Sequence, residues 1–252
     1  MVLIQSASHS CGLAHGQAAL YYGGKMFSRF KKDKSIPQGQ PNMRDILFGD
    51  ESFEKVATHA KGSSDALPWS HFATAEQILR QGDKSRAADE LRKVLEMKGL
   101  ESRVYLQAWH CLRTLSVFPP AEIATQIQGI VVEMALEKSL DLVAAYADHS
   151  ARYFNFSGAG IVWDATHDPE IIQITDRLLA VGQEIIRHIG LWDKPRPPAP
   201  PKGSIRINLL TYGGLYFGEG DLEVMAKDSL GGPAVSSAFT LMKALIARTD
   251  AA

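Results

Sequence analysis

Cysteine is scarce in this chain: the 252 residues include only Cys11 and Cys111. Their separation fits neither a C-x-x-C redox motif nor the paired spacing of a zinc site, so we expect no structural disulfide and no metal. No stretch approaches the roughly 18 apolar residues that a membrane span needs, and no basic region followed by an apolar block opens the chain. We therefore expect a cytoplasmic protein without a membrane segment.

The signatures of common enzyme classes are also missing. The chain has no P-loop, no G-x-G-x-x-G after a strand, no G-x-S-x-G elbow and no H-E-x-x-H pair. Their absence removes the usual nucleotide-binding, hydrolase and metalloprotease assignments without excluding an unfamiliar enzyme, and the sequence predicts no cofactor. His110 beside Cys111 does not make a thiol site, because adjacent helical residues point about 100° apart. We expect Cys111 to be packed and inert.

The overall composition is ordinary, but charge is unevenly distributed. The chain is 45% hydrophobic and 22% charged, which is typical of a folded globular protein. Residues 1–118 hold 16 basic and 12 acidic residues, whereas residues 119–252 hold 11 basic and 16 acidic ones. Much of the basic excess is a short cluster formed by Lys25, Arg29, Lys31, Lys32 and Lys34. Such a cluster lacks the patterned face of a nucleic-acid-binding surface, so nucleic-acid binding is not predicted.

Residues 1–68 are expected to be a poorly ordered extension followed by a linker. The first 25 residues show no periodicity that would bury a face, and the composition from Met26 onward is typical of a natural protein start. We interpret residues 1–25 as an upstream extension. Residues 46–48 form an apolar cluster that is costly to leave in water, so we expect this piece to pack on the folded body.

Residues 69–118 have the clearest helical periodicity. Apolar residues at spacings of three and four predict three helices, the first ending at Leu79 before the Gly82 break. The second stops at Gly99, and the third begins after Ser102 and ends before Pro119. This segment is expected to be a helical hairpin unit.

The run Gly82–Glu96 resembles the second helix of a tetratricopeptide repeat, with its turn glycine, small contact alanine and late leucine. On this resemblance, Tyr105, Trp109 and Leu112 would belong to the first helix of a following unit. About three repeats are needed for a stable array, and only about one and a half are visible within residues 69–117. The alternative is a helical hairpin packed against the rest of the chain, so no concave peptide groove is inferred.

Residues 119–252 alternate in polarity in a way that predicts antiparallel strands. Four strands with short connections predict a meander, and Asp168-Pro169 predicts the start of a long helix that runs to about Ile189. Two further strands and terminal helices follow. The predicted fold class is α+β, with a helical N-terminal segment before a meander sheet that helices cover on one face.

Two details of this region bear on function. The proline-rich run 195–201 resembles an SH3 ligand, but a stiff crossover is the interpretation we favour. In the strand after it, Ile205, Ile207 and Leu209 are expected to face inward. Arg206 and Asn208 are then expected to face outward.

The densest concentration of reactive side chains is Asp164, His167 and Asp168, where two carboxylates and an imidazole meet at a strand end and a helix start. Such a corner is suited to acid–base chemistry. The structural alternative is that Asp168 caps the helix, His167 is exposed to solvent and Trp163 belongs to the core. An uncharacterised small-molecule enzyme that uses this corner is our second functional hypothesis.

A second candidate site is the polar face of the meander. Arg152, Tyr153, Asn155 and Trp163 occur through its third and fourth strands, and arginine and aromatic residues often anchor protein interfaces. The alternative is an ordinary solvated face with core aromatics. Because the sequence shows no recognisable set of catalytic residues, the favoured hypothesis is a protein-interaction or assembly module. Homo-oligomerisation is a further possibility that the sequence leaves open. The order of strands and helices resembles that of small chaperones that hold secretion substrates, which is a likeness of fold only.

Overall fold

A computed structural model describes residues 43–61, 67–136, 139–155, 160–164 and 167–250. The expectations for residues 1–25 and for the basic cluster lie outside these ranges. The described helices are α1 (Met43–Phe48), α2 (Phe53–Lys61), α3 (Trp69–Arg80), α4 (Lys84–Glu96), α5 (Ser102–Thr114), α6 (Ala121–Ala124), α7 (Pro169–Ile186), α8 (Leu222–Lys227) and α9 (Gly231–Asp250). The described strands are β1 (Ile127–Leu136), β2 (Ser139–Tyr146), β3 (Ala151–Phe154), β4 (Gly160–Trp163), β5 (Ser204–Thr211) and β6 (Gly214–Asp221).

These strands form one six-stranded antiparallel sheet in the order β4-β3-β2-β1-β5-β6. The predicted meander is confirmed as β1 to β4, because each of these strands pairs with the next one along the chain. The chain then passes through α7 and the proline-rich crossover, and the β5–β6 hairpin adds to the free side of β1. The α+β class predicted from the sequence is therefore confirmed.

The first face of the sheet packs against α7, α8 and α9. Each fully buried aliphatic side chain on this face contributes about 1.5 to 3 kcal/mol to stability. Gly182 allows α7 to lie close to the sheet, since an added Cβ would stand 2.5 Å from Cδ1 of Ile130. The centre of this core consists of Ile130, Val132, Val143, Ile171, Leu178, Ile205, Ile207, Leu209 and Leu241.

The second face of the sheet is also covered, which corrects the expectation that helices cover only one face. Leu47 and Phe48 of α1 and Leu106 of α5 pack there with Val131 and Tyr146 of the sheet. The central strands carry apolar side chains on both faces of the sheet. Exposing the set on the second face to water would be as unfavourable as exposing the set on the first face. Covering both faces removes both sets from water.

The helices α2 to α5 form a layer with its own apolar cluster, which includes Phe72, Leu91 and Leu112. The three helices predicted within residues 69–118 are confirmed as α3, α4 and α5. The expectation that residues 1–68 are a poorly ordered extension followed by a linker is corrected in part, because α1 and α2 lie there. The resemblance of α4 to a tetratricopeptide helix stays a prediction.

Candidate functional site

Asp168 caps α7, as the sequence predicted. Its Oδ1 accepts backbone N–H groups from Glu170 at 3.1 Å and Ile171 at 3.2 Å. Nε of Arg248 donates to Oδ2 at 2.6 Å, and Nη2 donates to Oδ1 at 3.0 Å. These bonds, with the Arg248 bond as the largest cause, lower the pKa of Asp168 below its usual value. The carboxylate is therefore a structural anion that joins the start of α7 to α9.

Asp164 is held by a different arginine. Nη2 of Arg152 lies 2.7 Å from Oδ1 of Asp164 and 3.6 Å from Oε2 of Glu101. Nη1 of Arg152 also donates to the carbonyl oxygen of Trp163 at 3.0 Å. The Arg152 side chain thus connects the end of β4 to the helical layer and, at 3% exposure for the residue, it is buried.

In the described residues, the two carboxylates of the predicted acid–base corner are bound separately. Asp164 and Asp168 are paired with different arginines, and His167 is exposed. Residues 165–166, between them, lie outside the described ranges. A general base needs a carboxylate or imidazole that can reach a substrate proton. Arg248 binds Asp168 on both oxygens, whereas the Asp164 side chain is 62% exposed and His167 is exposed.

The four residues predicted to bind a partner are not brought to one surface. Arg152 and Tyr153 are neighbours in β3 and point to opposite faces, and both are buried. The Tyr153 hydroxyl donates to Oδ2 of Asp141 at 3.0 Å, and burial, together with this carboxylate, raises the pKa of Tyr153 to about 12. Asn155 and Trp163 are half-buried, and the Arg248 guanidinium lies 5.9 Å from the Trp163 ring centre. The alternation of polar and apolar residues in the sequence could not show that both faces of the sheet are covered.

Val162 in β4 is an exposed apolar residue, at 52% exposure. β4 is one edge of the sheet, and in the described structure no strand pairs with its outer side. The opposite edge differs, because the N–H of Trp192 donates to the carbonyl oxygen of Leu215 in β6 at 2.8 Å. The Trp192 ring also packs edge-on against Phe217 at 5.0 Å. The chain therefore covers part of the β6 edge itself.

A buried polar network on the second face was missed from the sequence. Glu133 is fully buried, and its carboxylate lies 2.5 Å from Nε of Arg44 and 3.3 Å from Nη1 of Arg206. Nδ2 of Asn208 donates to the same carboxylate at 3.1 Å, and Nε of Arg206 donates to Glu219 at 2.6 Å. The expectation that Arg206 and Asn208 face solvent is corrected, because α1 and the crossover lie over them. A signal was present in the sequence: a lone glutamate interrupts the apolar run of β1.

The proline-rich crossover is tied into this network. The carbonyl oxygen of Pro197 accepts from Arg44 at 2.9 Å, and that of Pro198 accepts from Arg206 at 2.6 Å. Arg196 binds the carboxylates of Asp45 and Asp50 and stacks 4.3 Å from the Phe48 ring centre. The run thus binds α1 and β5 in cis, as a crossover would.

Among the described residues, no group of three or more His, Cys, Asp or Glu side chains is placed to hold a metal ion. No helix in the described ranges combines the length and the apolar character that crossing a membrane requires. Comparison with models of protein families, with curated proteins and with solved structures found no match to this chain.

Proposed function

We propose that this chain is a cytoplasmic protein-interaction or assembly module that binds an extended segment of a partner protein at the edge of β4. One observation carries the proposal: β4 is an open sheet edge in the described structure and displays Val162 at 52% exposure. An open edge offers unpaired backbone N–H and C=O groups to a further strand. The partner is a protein, and the charge pattern gives no reason to propose a nucleic acid.

The composition of β4 supports this assignment. Natural edge strands are commonly protected by lysine, proline or inward charges, and β4 has the sequence Gly-Ile-Val-Trp without any of these. At four residues the strand is short, so backbone pairing alone gives a small gain of about 0.5 to 1.5 kcal/mol per hydrogen bond. Specific binding therefore needs side-chain contact as well, which Val162 is placed to provide.

Contacts with two arginines hold the end of this strand in place. Arg152 holds the carbonyl oxygen of Trp163 and the carboxylate of Asp164, while Arg248 lies over the Trp163 ring. An edge that is already ordered loses little conformational entropy when a partner strand adds to it. The resemblance of α4 to a tetratricopeptide helix also favours a role in protein binding. The binding surface that we propose is nevertheless the edge of β4.

The enzyme hypothesis has less support. Its two carboxylates, Asp164 and Asp168, are each bound by an arginine, and Asp168 has a second role as a helix cap. Removing either carboxylate from its arginine would break a contact between secondary-structure elements. The proposed binding role leaves these contacts intact.

The test compares Val162→Lys with a matched control, Val224→Lys. Val224 lies in α8 and is exposed to a similar extent, at 56%, so both variants add the same charge to an exposed apolar position. Tagged wild type and both variants are used to recover partners from native lysate, with quantitative mass spectrometry of the eluates. We expect a stoichiometric partner with wild type and Val224→Lys, and at least a tenfold loss with Val162→Lys.

Sedimentation velocity of the purified proteins tests whether the chain binds a second copy of itself. Self-association that Val162→Lys abolishes and Val224→Lys leaves intact would identify the partner as a second copy. A monomeric wild type that recovers no partner and retains a small metabolite would contradict the proposal and favour the enzyme hypothesis.

A further inference from the structure

A small cleft lies where the end of α1, helix α5 and the β5–β6 hairpin meet. Its volume is about 30 Å³, which is room for roughly two water molecules. Its polar lining includes Arg113, Asp50 and Thr211. The remaining lining consists of Phe48, Gly49, Leu106, Leu210, Gly214 and Leu215.

Arg113 differs from the other arginines that are at least half-buried in the described structure. Its hydrogen bond in the described residues goes from Nη1 to a neutral acceptor, the carbonyl oxygen of Tyr212, and it has no ion pair there. Each of the others has a carboxylate within ion-pair distance: Arg44, Arg103, Arg152, Arg196, Arg206 and Arg248. A partly buried guanidinium without a paired carboxylate retains N–H donors for an anion.

The acidic residue of the cleft does not neutralise Arg113 directly. Asp50 is bound on both oxygens by Arg196, at 2.7 Å to Oδ2 and 3.3 Å to Oδ1. Burial lowers the pKa of Arg113, while the charge of Asp50 acts in the opposite direction. His110 adds no competing cation, because burial and the charge of Arg113 lower its pKa as well.

We propose that this cleft binds a carboxylate that carries a small aliphatic group, with Arg113 as its charge partner. The planar guanidinium matches a carboxylate geometrically, and the space of about two waters is comparable to that of two carboxylate oxygens. Leu106, Leu210 and Leu215 also line the cleft and suit an aliphatic group. Such a carboxylate is either a free short-chain acid or the C-terminus of a peptide.

This site is independent of the proposed role of β4. The cleft involves the β5–β6 hairpin, at the opposite edge of the sheet from β4. Loss of binding at one edge therefore does not predict loss at the other.

The experiment is a titration of the ¹⁵N-labelled full chain with sodium propionate, followed by amide NMR and matched to sodium chloride at the same ionic strength. We expect saturable shifts at Gly49 and Gly214, with a millimolar Kd, and no such shifts with chloride. Arg113→Gln should weaken propionate binding at least tenfold. Arg177→Gln removes the same charge from an exposed position of α7 and should leave binding unchanged.

The two carboxylate sources are separated with acetyl-Gly-Val and its C-terminal amide. A peptide terminus as the natural ligand predicts that the acid binds at least tenfold more tightly than propionate, whereas the amide does not bind. A free short-chain acid predicts that propionate binds more tightly than either peptide. In both cases the proposal stands.

Intermolecular NOEs between the propionate methyl group and Leu106 or Leu215 locate the ligand in wild type, so the test holds even if Arg113→Gln fails to fold. The proposal is overturned by absence of saturable shifts with all three probes, by NOEs to a different surface, or by undiminished binding to a folded Arg113→Gln.

Discussion

Arg248, near the end of α9, holds Asp168 at the start of α7 through two bonds, Nε to Oδ2 at 2.6 Å and Nη2 to Oδ1 at 3.0 Å. The two residues are 80 positions apart, and the same carboxylate caps α7. The Asp168 side chain therefore accepts hydrogen bonds from the free N–H groups at the start of α7 and also joins α7 to α9. The cap could be predicted from Asp168-Pro169, but the arginine could not.

This arrangement predicts different costs for two substitutions of Asp168. Asp168→Ala removes both the cap and the ion pair, and its loss of the cap alone costs about 0.5 to 2 kcal/mol. Asp168→Ser keeps an oxygen acceptor and should be clearly more stable than the alanine variant. Arg248→Gln keeps the cap but removes the ion pairs with Asp168 and Glu170 and the contact with the Trp163 ring, and it should cost up to about 1 kcal/mol per ion pair. Urea denaturation of the three variants measures their free energies of unfolding and so ranks their stability. A serine variant that is fully folded but has lost a measured activity would revive the enzyme hypothesis.

Glu133→Gln should be strongly destabilising. It removes the negative charge that the buried guanidinium groups of Arg44 and Arg206 face, and removal of one partner of a buried pair costs about 3 to 5 kcal/mol. Glu184→Gln is the control, because its carboxylate is half exposed in α7 and should change stability by less than about 0.5 kcal/mol. Equal unfolding free energies for the two variants would contradict the role assigned to Glu133.

Glu90 should make stability depend on pH in the acid range. Burial acts to raise its pKa, but hydrogen bonds to Lys93 and His71 outweigh burial and lower it below 4.5. Because the folded-state pKa is below the unfolded one, this contribution is complete above the unfolded pKa and is lost as pH falls through the folded pKa. The difference in unfolding free energy between wild type and Glu90→Gln should be present at pH 7 and should shrink towards pH 3. A difference that does not vary with pH would exclude this role.

Cys111 should be unreactive in the folded protein, as expected from the sequence. The thiol is fully buried, and burial raises its pKa to about 12, although Nε2 of Gln107 at 3.4 Å acts in the opposite direction. Cys11 lies outside the described residues, so the experiment uses Cys11→Ser. Thiol reagents at pH 7.5 should label this variant slowly in buffer and completely in urea. Rapid labelling in buffer would show that the site opens.

The proline-rich crossover should act through chain stiffness and not as a ligand motif. A Gly/Ser replacement of residues 195–201 that retains Arg196 keeps the backbone carbonyls that Arg44 and Arg206 bind. It should still lower stability by a few tenths to about 1 kcal/mol per compatible proline, because the unfolded chain becomes freer. Partner recovery should be unaffected. Full stability with loss of a partner would instead identify the run as a ligand.

Local structure could be predicted wherever a short-range rule was sufficient. The break at Gly82 and Asp83 between α3 and α4 follows from a left-handed glycine and a capping aspartate, and both are observed. The predicted end of α7 at Ile189 was three residues late, since the last regular turn ends at Ile186. Helix ends are decided by competition between weak local bonds, which periodicity does not resolve.

The candidate sites were less predictable, because a side chain's role depends on what lies opposite it in the fold. Asp164 and Asp168 are adjacent enough in sequence to indicate a shared site, yet Arg152 and Arg248 bind them separately. Similarly, Arg206 alternates with apolar residues as a solvated side chain would, but α1 and the crossover cover it.

The sequence by itself determined the helices from α3 onward, the strands, the meander and the α7 cap, since these depend on residue spacing and on bonds between near neighbours. Only the tertiary structure decided which face of each strand meets solvent, which carboxylate each arginine binds, and that β4 is an edge. Alternation marks two faces of a strand but carries no information about distant segments such as α1. Those long-range contacts are why Glu133 is buried and Val162 is exposed.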